Sequence, residues 1–254
     1  MFIRNERSLK EFFQFYPIVS GLVIIHLALW LIIDFLHLPF GLDFYRWGVG
    51  NNYLVSQGQY WRLFTAIFLH AGLMHAIFNS FALVLFGPAL EQMLGRFKFI
   101  IAYIGAGLVG GLGTLVLAPP NYLHVGASGA IYGLFGIYVF MVTFRKHLID
   151  KANAQIVLTI FIIGAVMTFL QSNINIYAHI FGFIGGFILA PLVLTKSVRG
   201  FSPWRNTRRQ GNDSSIQFDP NRWNKRRVPP KLLKNILWIV FGVLVLFGLL
   251  GRFF

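Results

Sequence analysis

The chain alternates long apolar runs with short polar breaks. Seven runs are legible, at 17–37, 72–91, 98–117, 128–144, 154–171, 176–195 and 233–251. A helix needs roughly 20 apolar residues to cross the hydrocarbon of a bilayer, and most of the runs meet that length. The pattern predicts an all-α fold: a polytopic transmembrane helix bundle with a six-span core and one further C-terminal transmembrane helix. The runs at 128–144 and 154–171 are the short ones, and a short span can leave one end inside the plane of the membrane. The organisation expected is an N-terminal segment over 1–16, the core over 17–195, a linker over 196–232 and the seventh helix within 233–254. The opening is polar to Glu11 and the first run then extends past Leu36, which reads as a retained span rather than a cleaved signal peptide. No internal repeat is evident, which disfavours transporters built from repeated halves.

The segment 38–71 departs from the simple alternation. It carries Tyr45, Trp47, Tyr53, Tyr60 and Trp61 with Pro39 and several glycines. Aromatic residues concentrate where membrane meets water, so the segment is expected to be a structured hairpin lying partly in the outer leaflet. An ordinary aromatic belt is the plainer alternative.

Composition narrows the class. Hydrophobic residues make up 56% and charged residues 12%, where a soluble domain carries about 25% charged. The formal charge of +14 raises nucleic acid as a partner, but its distribution argues against one. Eleven of the 22 Lys and Arg fall between Lys196 and Lys234, in a segment suited to anionic lipid headgroups. Most of the others flank the apolar runs. Counted by alternate loops, 19 basic residues lie on one side and 3 on the other. The positive-inside tendency then puts the N-terminus in the cytoplasm. A multi-pass protein of a bacterial plasma membrane is the expected setting. The chain has no cysteine, which removes thiol catalysis and disulfides.

Three polar groups interrupt the apolar runs where chemistry is plausible. Gly126-Ala127-Ser128-Gly129 opens the fourth run. A serine among small residues at a helix start is sterically open, and the backbone N–H groups there can stabilise an anion. The plain alternative is close helix packing by small residues. His179 starts the sixth run, followed by Gly182, Gly185 and Gly186. A histidine within a span is costly and usually functional, although a packing histidine bonded to a carbonyl would look the same. Gly182 and Gly186 share its helix face, and with Gly129 and Gly133 they could draw the two helices together. His75 and Asn79 form an i,i+4 pair on the second run. Both can donate hydrogen bonds, as an oxyanion requires, or they tie helices together. All three groups fall at the same ends of their spans. Metal chemistry is not expected: no His-Glu-x-x-His is present, and His70 and His75 do not share a helix face. Asp34 and Glu91 are the few acids within the spans.

Over 17–195 the chain resembles the rhomboid family of intramembrane serine proteases. The resemblance rests on Trp61-Arg62, His70, His75-Ala76-Ile77-Phe78-Asn79, Gly126-Ala127-Ser128-Gly129 with Tyr132, and His179 with its glycines. It implies Ser128 as nucleophile and His179 as general base. His75, Asn79 and the Ser128 backbone N–H would be the oxyanion donors, and Tyr132 would pack on the His179 ring. Trp61 and Arg62 would be a structural loop motif. Gly126, Gly129 and Gly182 would support the site. The implied activity is cofactor-free endoproteolysis of single-span membrane proteins, in a site opening to the outer face. A non-catalytic relative that binds membrane proteins is the alternative.

Overall fold

A computed structural model describes residues 6, 8–171 and 173–202. Over these residues the architecture is helical apart from one pair of two-residue strands. The linker beyond residue 202 and the seventh apolar run lie outside the described residues.

The first helix, α1 (Leu9–Phe15), starts where the Ser8 side chain accepts the Glu11 N–H at 3.2 Å. Pro17, whose missing N–H costs nothing at a helix start, opens α2 (Pro17–Trp30), which continues through a π-helical turn at Leu31–Phe35. Three short helices follow, α3 (Pro39–Gly48), α4 (Asn52–Ser56) and α5 (Trp61–Thr65). Then come the long helices α6 (Leu73–Leu94), α7 (Arg96–Leu117), α8 (Ser128–Phe144), α9 (Lys151–Leu170) and α10 (Ile176–Val193). Among the described residues, five stretches are long and apolar enough to cross a membrane: Pro17–Phe35, α6, α7, α9 and α10. At 17 residues, α8 is shorter, as its run suggests. The fifth run is not short: Asp150 caps α9 by accepting the Asn153 N–H at 3.0 Å, which starts a 20-residue helix three residues earlier than hydropathy alone indicates.

The segment 38–71 is not a hairpin. It forms three short helices, and the buried side chain of Arg62 ties α5 to the end of α3, donating to the Arg46 and Val49 carbonyls at 2.9 and 2.8 Å and to Gln59 Oε1 at 2.8 Å. A planar guanidinium can bind several oxygens at once, and here it gathers carbonyls at the end of α3. Trp61 stacks on Trp47 with centroids 5.6 Å apart and donates its Nε1–H to the Trp47 carbonyl. The only strand pairing among the described residues joins β1 (Gly50–Asn51) to β2 (Leu123–His124), with Gly50 opposite His124. It fastens this segment to the loop that leads into α8.

Two further contacts position the bundle. The buried Glu91 carboxylate accepts the Ile18 and Val19 N–H groups at 3.0 and 2.9 Å. It thus caps the N-terminus of α2, where free N–H groups and the helix dipole favour an anion. The α7, α8 and α10 helices meet through glycine. A Cβ at Gly110 would stand 2.7 Å from the Ala178 carbonyl oxygen, and one at Gly185 would stand 2.8 Å from Val109 Cβ. By contrast α9 is peripheral, with 11% of its apolar stretch buried.

Candidate active site

Ser128 is the first residue of α8, half-buried rather than sealed. The N–H groups of a first helical turn have no partner within the helix, so the Ser128 N–H is a free-standing donor by construction. The approach to it is fixed by Gly126, whose N–H donates to the Ala66 carbonyl at 2.8 Å.

His179 lies in the first turn of α10, buried at 6% exposure. The Asn175 side chain caps this helix by accepting the Ala178 N–H at 3.0 Å, and its amide donates to Thr114 Oγ1 on α7. The α8 and α10 helices touch beside both residues. A Cβ at Gly129 would stand 3.1 Å from the Ala178 carbonyl oxygen, and one at Gly182 would overlap the Gly129 carbonyl, 2.8 Å from its carbon. One turn further along, Gly186 lies equally close to Gly133. The two glycine pairs expected from the sequence are therefore in direct backbone contact, and they place Ser128 and His179 at the same end of two touching helices.

Tyr132 stacks on the His179 ring with centroids 3.9 Å apart and planes 17° from parallel. Its hydroxyl is 2.8 Å from Thr168 Oγ1 on α9, and the same oxygen is 2.8 Å from His179 Nδ1. The sequence reading does not single out Thr168. A threonine in an apolar helix carries no signal, and only the approach of α9 to α8 and α10 brings it here.

His75 and Asn79 lie on α6, at the same end of the bundle. The Ala71 N–H donates to His75 Nδ1 at 3.3 Å. A ring nitrogen that accepts has no hydrogen, so this bond assigns the hydrogen of neutral His75 to Nε2. A Cβ at Gly126 would stand 2.6 Å from that Nε2 and 3.8 Å from Asn79 Nδ2. The chain entering α8 therefore passes directly against both side chains. Asn79 gives one amide hydrogen to the His75 carbonyl at 3.0 Å; its amide carries a second.

His70 lies beside this group. It shares no helix face with His75, because it precedes α6, yet their rings meet at 5.1 Å between centroids, and the His26 ring of α2 lies 4.8 Å from His70. Burial pushes the His70 imidazole down to about 2, so it is uncharged at neutral pH. Despite this proximity, no group of three His, Asp or Glu side chains among the described residues is arranged to hold a metal.

Apolar helices of spanning length with a serine, two histidines and an asparagine gathered at one end define a multi-pass membrane protein with hydrolase-type side chains. Comparison with known proteins makes this specific. The rhomboid domain family matches residues 57–196. YdcA of Bacillus subtilis (strain 168), provisionally described as a rhomboid protease, is 45% identical over 203 residues, covering 79% of this chain and all of its own. Rhomboid protease GluP of the same organism is 38% identical over 143 residues, 56% of this chain and 28% of its own. The mitochondrial RHOMBOID-like protein 6 of Arabidopsis thaliana is 28% identical over 197 residues, 77% of this chain and 60% of its own. The chain belongs to the rhomboid family and is an intramembrane serine protease.

Proposed function

We propose that Ser128 and His179 form a catalytic dyad that cleaves the transmembrane segments of single-span membrane proteins. The observation that supports this reading is the contact of Gly129 with Ala178 and Gly182, which brings the first turns of α8 and α10 together. His179 takes the Ser128 Oγ proton as the oxygen attacks a backbone carbonyl. The proton passes from the imidazole to the leaving amine, and the acyl-enzyme forms. Water then repeats the sequence, giving its proton to His179 and releasing the acid. The developing oxyanion is held by the Ser128 N–H, His75 Nε2–H and the second Asn79 N–H, donors aimed where charge appears. A transmembrane helix hides its carbonyls in its own hydrogen bonds. Substrates with glycine or other helix-weakening residues near the membrane surface fit best, because they can unwind into the site. The distribution of basic residues supports a cytoplasmic N-terminus and a site toward the outer face, with 196–232 near anionic headgroups.

The test is a serine-directed fluorophosphonate probe applied to the membrane-embedded protein, with cleavage of a model transmembrane substrate measured in parallel. Wild type is expected to label and cleave. Ser128→Ala and His179→Ala are each expected to insert normally, fail to label and fail to cleave. Turnover by purified Ser128→Ala would overturn the assignment. Normal insertion without labelling of wild type would favour a non-catalytic, substrate-binding role.

A further inference from the structure

We propose that Thr168 is a positioning residue that fixes the tautomer of His179 and stabilises its ring when it takes up the proton. This rests on the reading of His179 as the base. Thr168 is the one polar residue that α9, largely uncovered elsewhere, buries, at 2% exposure. Its Oγ1 has three partners at the same distance: the Gly164 carbonyl at 2.8 Å, the Tyr132 hydroxyl at 2.8 Å and His179 Nδ1 at 2.8 Å.

A hydroxyl has one hydrogen to give and two lone pairs to receive. The Gly164 carbonyl can only accept, so it takes the Thr168 hydrogen, the usual back-bonding of a threonine within a helix. Both lone pairs then remain for donors, the Tyr132 O–H and the His179 Nδ1–H. This is the one arrangement in which all three contacts are hydrogen bonds. If Thr168 gave its hydrogen to Nδ1 instead, two oxygens would face each other at the Gly164 contact with no hydrogen between them.

The consequence is chemical. With the hydrogen on Nδ1, Nε2 carries the lone pair that a general base needs. When Nε2 accepts the Ser128 proton the ring becomes cationic, and the Nδ1–H bond to Thr168 becomes charge-assisted and stronger. An orienting acid could do the same, but an ionised carboxylate at this depth would be expensive to bury. A neutral threonine whose own hydrogen is committed elsewhere supplies an acceptor without that charge. Tyr132 completes the device by stacking on the ring and by occupying the second lone pair, so that Thr168 cannot rotate freely.

The experiment uses the full chain in lipid vesicles with a fluorogenic transmembrane peptide, comparing wild type, Thr168→Val and Thr168→Ser. Removing one such hydrogen bond is expected to lower kcat about tenfold with KM unchanged in Thr168→Val, and Thr168→Ser is expected to restore it. In parallel, 15N NMR of ring-labelled histidine reads the tautomer, with the His179 signals assigned by their loss in His179→Gln. Wild type is expected to carry its hydrogen on Nδ1, and Thr168→Val to mix both forms. Wild-type kcat in Thr168→Val, equal impairment of the Val and Ser variants, or an Nε2–H tautomer in wild type would each overturn the proposal. Should Thr168→Val fail to fold, the wild-type spectrum decides alone. Ser128→Ala and His179→Ala in the same assay separate the two ideas. If they retain turnover, the dyad fails. If they are inactive while Thr168→Val matches wild type, only the role of Thr168 fails.

Discussion

Gly126 shows how closely the site depends on single atoms. Its φ of +125° lies where L side chains are strained, and a Cβ there would stand 2.6 Å from His75 Nε2. The backbone must pass this near if His75 and Asn79 are to reach a substrate carbonyl attacked by Ser128. Replacing His75 or Asn79 by Ala is expected to cut kcat by about 10²–10³-fold, the usual cost of one oxyanion donor, while the backbone donor persists. Measured turnover indistinguishable from wild type in both variants would show that the donors lie elsewhere. Ser128, His179, His75 and Asn79 stand out as candidates in the sequence because polar residues are scarce in apolar runs, and His75 and Asn79 share a helix face at i,i+4. Thr168 and His26 do not, because the groups that define their surroundings, Tyr132 and His179 for Thr168 and His70 for His26, are far away in the sequence. Only tertiary geometry reveals which oxygen meets which nitrogen.

At the scale of the element, the contact between α8 and α10 is backbone against backbone. Helix pairs ordinarily stand about 8–10 Å apart, and lipid supplies no hydrophobic force to press them closer. Small residues are what allow the approach. Gly182→Val must push α10 away from the Gly129 carbonyl, and a displacement of about 1 Å can cost 10²-fold in rate. Activity is expected to fall at least that far at equal expression and insertion. Ile180→Val, altering a side chain that is 41% exposed, is expected to stay near wild type. The comparison of the two variants in one cleavage assay checks the interface. The glycine faces are legible from their i,i+3 and i,i+4 spacing. The segment 38–71 is not: its aromatic residues announce an interface, but α3 and α5 are tied together by Arg62, which collects carbonyls from residues 13 and 16 positions away.

For the whole molecule, the rhomboid match ends at residue 196, and every side chain of the candidate site precedes it. Deleting 197–254 is expected to leave a protein that inserts and cleaves at close to the wild-type rate. A deletion that inserts yet is inactive would show that the C-terminal segment supports the site. The hydrophobic pattern anticipates the five described helices of spanning length, because spanning the hydrocarbon sets their length. It does not tell how they are grouped around α7, α8 and α10. The grouping has a consequence for the order of synthesis. On the dyad reading, Ser128 acquires its base from a helix that the ribosome completes only after α9, and the delay at ordinary elongation rates is a few seconds. Until α10 has packed its glycines onto α8, the serine lacks the imidazole proposed as its base. On that reading a nascent chain carries its nucleophile without its base until α10 docks, so the order of synthesis itself delays the chemistry.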